Sequence, residues 1–190
     1  MREIIVNYLT PNRFSRPQIP LHPVKALVIH WVENSGTSAM FNRNFFENRK
    51  HGQTGYGSAH FIVDLSGEIV ECIPVTEVAY HVGAMIYRDG IKERLSTWPN
   101  NCTLGIETCH VDKFGQYTTE TLEAARELCA CLCEMFNLNP LEDIIRHYDV
   151  TGKLCPRWFV DHPLDLALFK QEVNQEMLAA ACGNERGGDC

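Results

Sequence analysis

His147 and Cys155 stand eight positions apart around a turn-forming glycine, in the run Arg146-His147-Tyr148-Asp149-Val150-Thr151-Gly152-Lys153-Leu154-Cys155-Pro156. A loop of that length can fold back so that both side chains point at one ion. Imidazole and thiolate are good zinc ligands, and three protein ligands with one open position form the catalytic arrangement. His30, near the end of an apolar β-branched run, is the candidate third ligand. A closed structural zinc site needs a fourth ligand, and no second Cys or His is spaced to supply one here. Taken alone, His30 is more simply a core histidine with a satisfied ring. A His, His, Cys triple also arises by chance in a chain with 8 His and 9 Cys.

The elements that must position these residues follow from hydropathy patterning. Ala26-Leu27-Val28-Ile29-His30-Trp31-Val32 reads as a buried strand, with Ala26, Val28, His30 and Val32 on one face and Leu27, Ile29 and Trp31 on the other. Ser38 to Arg49 reads as a helix with Ser38 as N-cap and Phe41 and Phe45 four apart. His60–Asp64 and Ile69–Ile73 flank Leu65-Ser66-Gly67-Glu68 and predict a hairpin. Leu104–Cys109 is a further strand, and Ile144–His147 a short strand leading into a loop. Thr119–Phe136 predicts a helix with Leu122, Ala125, Cys129, Leu132 and Phe136 on one face. Pro163 opens another, striped by Leu166, Phe169, Val173, Met177 and Ala180. Strands mixed with helices, including a hairpin, predict a single α/β domain around one central mixed β-sheet flanked by helices. Residues 1–24, with four of the nine prolines, read as an extended lead-in, residues 25–182 as one compact domain, and residues 183–190 as a flexible tail.

Five words occur in order: Val28-Ile29-His30-Trp31, Ser58-Ala59-His60-Phe61-Ile62-Val63-Asp64, Ala79-Tyr80-His81-Val82-Gly83, Leu104-Gly105-Ile106-Glu107, and His147 through Pro156. Together they resemble the type-2 N-acetylmuramoyl-L-alanine amidases, a family of phage and bacterial peptidoglycan amidases that shares its fold with animal peptidoglycan recognition proteins. The resemblance runs from about Lys25 to Phe169. It implies a zinc hydrolase that cuts the amide between the lactyl group of N-acetylmuramic acid and the L-alanine of the stem peptide.

Position by position, the resemblance implies His30, His147 and Cys155 as ligands of Zn2+, Glu107 as the catalytic acid of the Ile-Glu motif, and Lys153 as the cation of the Thr-Gly-Lys turn. Some members carry a catalytic Tyr just before the His-Phe pair, where this chain has Ala59. The Ser-Ala-His pattern implies reliance on Glu107 instead, with Tyr56 out of register. Amide hydrolysis needs an activated water, a stabilised oxyanion and a proton for the leaving amine, which zinc, Lys153 and Glu107 would supply. The plainer alternatives are a solvated loop lysine and an edge-strand salt bridge. The apolar neighbours Leu104 and Ile106 weigh against the latter, since an unpaired carboxylate there is costly. His81 falls in a segment similar to the family's substrate-groove loop and is expected to contact substrate without being a metal ligand; the plainer alternative is a packed loop histidine. His60 is expected to be structural, pointing into or across the sheet.

Composition narrows the remaining classes. The chain has 190 residues with 45% apolar and 22% charged content, ordinary globular values. With 17 basic and 24 acidic residues the net charge is -7, and no basic run is present, which argues against an electrostatic nucleic-acid binder. The acidic balance gives no long-range attraction to anionic membranes or wall polymers, so such a substrate is held by short-range contacts. No stretch approaches the roughly 18 apolar residues of a membrane span. The start, Met1-Arg2-Glu3-Ile4-Ile5-Val6-Asn7, has no apolar core followed by a cleavage site. The chain as given is therefore expected to be made in the cytoplasm and to reach the wall after release or lysis. Nine cysteines cannot all pair, and most read as reduced, buried hydrophobes, including Cys129 and Cys133, with Cys131 pointing elsewhere. Two competing readings are a muropeptide-binding module without catalysis and a zinc-stabilised structural domain. Non-catalytic relatives of this fold typically lose a ligand, above all the cysteine; His30, His147, Cys155 and Glu107 are all present.

Overall fold

The computed structural model describes residues 2–185. Along the chain come β1 (Ile4–Val6), β2 (Ala26–Trp31), α1 (Ala39–Asn48), β3 (Phe61–Val63), β4 (Ile69–Glu71), α2 (Ile91–Arg94), β5 (Thr103–Thr108) and α3 (Thr119–Phe136). They are followed by α4 (Pro140–Asp143), β6 (Ile144–Arg146), α5 (His147–Thr151), α6 (Arg157–Asp161) and α7 (Pro163–Glu185). The six strands form one mixed sheet in the order β1-β4-β3-β5-β2-β6. Only the β3–β4 hairpin is antiparallel; β1 runs parallel to β4, β3 to β5, and β2 to both β5 and β6. This is the expected mixed α/β domain.

Strand alternation divides the core between the two faces. Leu27, Ile29, Leu104 and Ile106 meet Ala125, Leu128, Cys129 and Leu132 of α3 and Leu166, Phe169 and Val173 of α7. Leu122, Phe136 and Met177 pack around them. Ala180, the last position expected in the α7 stripe, lies outside the described side chains. On the opposite face Ala26 and Val28 pack with Val82, Ile91, Leu95, Ile145 and Val150, and Ile62 and Val70 pack beneath α1. His30 shares this second face. Seven cysteines among the described residues are free thiols, all buried except the half-buried Cys131. Cys182 and Cys190 lie outside the described side chains.

Two features differ from the sequence reading, and a third, the buried face of α1, was not specified by it. The lead-in contributes β1 to the sheet edge, and Arg2 holds it to α3 through Glu123 at 2.9 Å and Glu127 at 3.1 Å. The helix α1 is capped by Ser38, whose side chain accepts from the Phe41 amide, but Phe41 and Phe45 face outwards, 56% and 47% exposed. The helix buries Ala39, Asn42 and Arg43 instead, because Asn42 donates to the Ser38 carbonyl and Arg43 to the carbonyls of Asn7 and Tyr8. Finally, α7 continues through Glu185, three residues into the segment read as a tail; residues 186–190 lie outside the described residues.

Glu47 ties α1 to the N-terminal segment. It accepts from the Thr10 amide at 3.0 Å, the Thr10 hydroxyl at 2.6 Å and Lys50 at 2.7 Å, and pairs with Arg43 at 3.2 Å. Burial pushes its carboxyl up, but donation from Lys50 and Thr10 and the charge of Arg43 outweigh it and hold it at about 2. A carboxyl lowered on folding contributes stability that is full above its unfolded pKa and is lost as pH falls towards the folded value. Glu47→Gln should therefore cost about 2 kcal/mol at pH 7, a Tm decrease of about 4–8 °C. Melting curves should show the difference shrinking between pH 4.5 and pH 2; a gap that persists at pH 2 contradicts the assignment.

Candidate active site

In open sheets of this kind ligands gather outside the carboxyl ends of parallel strands, and here β2, β5 and β6 supply those ends. His30 is the penultimate residue of β2 and lies in register with Glu107 of β5. Because β6 pairs with β2 as far as Arg146, His147 emerges beside His30. His147 opens the helix α5, a correction to the expected strand-end loop. The physical reason is one half of a capping box: the Asp149 carboxylate accepts from the Arg146 amide at 2.8 Å, while the Arg146 guanidinium, which has no acceptor, cannot supply the other half. Gly152 ends α5 at φ 82°, a left-handed conformation that glycine adopts without strain. The Tyr148 amide then donates to the Cys155 carbonyl at 2.9 Å, folding Cys155 back over His147.

Three donor atoms converge. His147 Nδ1 lies 3.1 Å from His30 Nδ1, and Cys155 Sγ lies 3.7 Å from the same nitrogen. All three fall within 4.8 Å of one another and are buried. Zinc–nitrogen bonds of about 2.0–2.1 Å and a zinc–sulfur bond of about 2.3 Å in a tetrahedron require N···N near ~3.3 Å and N···S near ~3.6 Å. The donor set fits a zinc ion in both chemistry and spacing. Burial holds His30 well below its usual range, with His147, His81 and Lys153 adding to it. Burial and Lys153 hold His147 at about 4, so both rings keep the neutral form that ligates. Burial and Glu107 push the Cys155 thiol up; a bound cation reverses that preference, since a coordinating thiol is deprotonated.

Glu107 and Lys153 complete one wall. Glu107 belongs to the interior strand β5, so the edge-strand salt bridge does not arise, and its Oε2 is buried without a hydrogen-bond partner among the described residues. Burial pushes its carboxyl up to about 8, against the pull of Lys153. Lys153 is half-exposed and pairs with Glu33 at 2.8 Å. Glu33 holds a left-handed φ of 52°, an uncommon state for this residue type that recurs at functional sites. These groups line a cavity of about 420 Å³ that extends past Asn42, Phe45, Phe46 and Arg49 of the α1 region.

Residues 20–158, most of the chain, match the model of the N-acetylmuramoyl-L-alanine amidase family. The chain belongs to this amidase family. The amidase BlyA of Bacillus subtilis (strain 168) is 34% identical over 177 residues, covering 90% of this chain and 47% of its own length. A probable N-acetylmuramoyl-L-alanine amidase of Bacillus licheniformis is 37% identical over 176 residues, covering 92% and 48% respectively. The chain thus spans about half the length of these relatives. Among solved structures, PlyL superposes with a TM-score of 0.71 at 22% identity, covering 90% of this chain and 97% of that one. The catalytic domain of XlyA gives 0.69 at 23%, covering 90% and 99%. At such identities the likeness is one of fold.

The remaining residues singled out in this amidase-family sequence take varied places. His60 is fully buried and structural: its Nδ1 accepts from the Gly105 amide at 3.0 Å and its Nε2 contacts the Glu77 carbonyl at 2.9 Å. Tyr56 is 63% exposed and packs against Phe14 and Tyr80, away from the three donors. His81 lines the cavity wall and is packed, as in the plainer of the two readings. It is 8% exposed and both ring nitrogens are engaged, one by His30 and one by Thr103. Sequence reasoning missed Glu33, Asn42, Phe45 and Arg49. The available signal was positional: Glu33 follows directly from the strand that carries His30.

Proposed function

We propose that the chain is a zinc-dependent peptidoglycan amidase that hydrolyses the amide joining the lactyl group of N-acetylmuramic acid to the L-alanine of the stem peptide. The observation that carries it is the convergence of His30 Nδ1, His147 Nδ1 and Cys155 Sγ in a cavity that also holds Glu107 and Lys153. The family match and the names of the Bacillus relatives support the substrate class. Residues 25–182 are proposed as the catalytic unit, acting on the wall after release or lysis. No helix among the described residues is long and apolar enough to cross a membrane.

When bound, zinc polarises the scissile carbonyl and makes water more acidic. His30, His147 and Cys155 would hold it. The thiolate lowers the net positive charge of the centre relative to three imidazoles, so a nearby base has more to do. With a cation bound, the burial preference at Glu107 would invert as at Cys155. Glu107 as the carboxylate would then take the proton of the attacking water and return it to the leaving nitrogen. Lys153, steadied by Glu33, offers a cation to the developing oxyanion.

Mass spectrometry of purified peptidoglycan after incubation with the chain tests this. New free L-alanine amino termini without new reducing sugar ends, lost on chelation and restored by zinc, are expected. Intact peptidoglycan from a zinc-loaded chain overturns the proposal.

A further inference from the structure

Behind His30, on the side away from the three converging donors, lies a second buried imidazole. His81 Nδ1 is 3.0 Å from His30 Nε2, with the rings edge to face at 83°. His81 Nε2 lies 3.3 Å from the Thr103 carbonyl and 3.1 Å from the Thr103 hydroxyl. That hydroxyl is itself 2.8 Å from the Pro99 carbonyl, which only accepts, so the hydroxyl donates there.

The proton positions follow from this chain of contacts. The Thr103 carbonyl also only accepts, so His81 Nε2 carries the proton. The other nitrogen, His81 Nδ1, is then a bare lone pair directed at His30 Nε2. His30 must donate to it, which leaves His30 Nδ1 unprotonated where the three donors meet. The fold holds His81 for this task from two sides. Asn100, buried, accepts from the amides of His81 and Val82 at 3.1 and 2.8 Å. Beneath the ring, a Cβ at Gly105 would lie 2.5 Å from His81 Cγ and 2.7 Å from its Nδ1, so the Leu104-Gly105-Ile106-Glu107 strand carries glycine where the ring needs room.

We propose that His81 is a positioning residue for the metal centre: it fixes the tautomer and ring orientation of His30 through a neutral imidazole–imidazole hydrogen bond relayed from Thr103. The proposal rests on reading His30, His147 and Cys155 as a metal site. Ligating histidines usually donate their second N–H to a carboxylate, a carbonyl or water. A neutral acceptor here orients the ligand without adding another buried anion beside Cys155 and Glu107, a costly addition in an apolar setting.

Cobalt(II) affinity by chelator competition, read from thiolate-to-cobalt absorbance, tests it on the full chain and two variants. His81→Asn keeps an acceptor oxygen near the place of Nδ1, whereas His81→Leu keeps bulk without an acceptor. The expected result is cobalt binding about 10–100-fold weaker in the Leu variant, with most of the affinity restored in the Asn variant. Equal affinity in the Leu variant and the wild type, or weaker binding by Asn than by Leu, overturns the proposal, because His81 then only fills space. A wild-type chain that binds no cobalt overturns the metal reading as well. Long-range proton–nitrogen NMR of the zinc-loaded wild type gives a readout that needs no variant. It should show His81 protonated on Nε2 and bare on Nδ1; the opposite tautomer overturns the proposal.

Discussion

Glu107→Gln should lower kcat by about 10²–10⁴-fold, the usual contribution of a positioned acid–base group, while metal content stays unchanged. The amide is nearly isosteric but can neither accept the water's proton nor return one. Glu107 Oε2 is buried with no partner among the described residues, and burial raises its carboxyl to about 8. An unpartnered buried carboxyl is a burden on the fold, so the Gln variant should melt at the same temperature as the wild type or above it. Initial rates on peptidoglycan, metal analysis and a melting curve on one preparation separate the two roles. Loss of rate with retained stability supports the base; a rate within about threefold of wild type removes Glu107 from the chemistry.

Cys155→Ser should abolish metal binding under conditions where the wild type is saturated. Even an outer partner of a ligand is worth about 10–100-fold in affinity, and losing the thiolate should exceed the upper end of that range. The serine hydroxyl stays protonated and offers a weak neutral oxygen where zinc favours sulfur. Turnover should fall with occupancy and should return only in part at high zinc. Without metal, serine and the protonated thiol are both neutral buried groups, so the metal-free melting temperatures should nearly coincide. Chelator competition and paired melts measure both expectations. Wild-type affinity in the serine variant rules out Cys155 as a ligand.

Much of this arrangement is legible in the sequence because its signals are local. The helical stripe over Thr119–Phe136, the β-branched run from Ala26 to Val32 and the hairpin around Gly67 depend on neighbouring residues alone, and each element stands within a residue or two of where periodicity places it. Other features depend on partners distant in sequence. Phe41 and Phe45 have helical spacing, yet which face of α1 is buried was decided by Arg43 reaching the carbonyls of Asn7 and Tyr8. His81 was expected at the groove because its segment is similar to the family's groove loop; its contact with His30, 51 positions away, has no local signal. The strand β1 is only three residues long, too short for alternation to register, and its place depends on pairing with β4. Glu33 carries no motif at all, and its ion pair with Lys153 spans 120 positions.

The separation of the donors along the chain has a consequence for stability. His30 and His147 are 117 positions apart, and His30 and Cys155 are 125 apart, with one ligand on β2 and the others beyond β6. A single ion held by all three is therefore a cross-link that closes most of the domain into a loop. Unlike a disulfide, such an ion would be held only by the folded chain, so it would stabilise the fold by mass action, in proportion to how tightly and at what free concentration it binds. In a chain whose described cysteines are all free thiols, the proposed metal centre would be a long-range tether between the two halves of the folded chain.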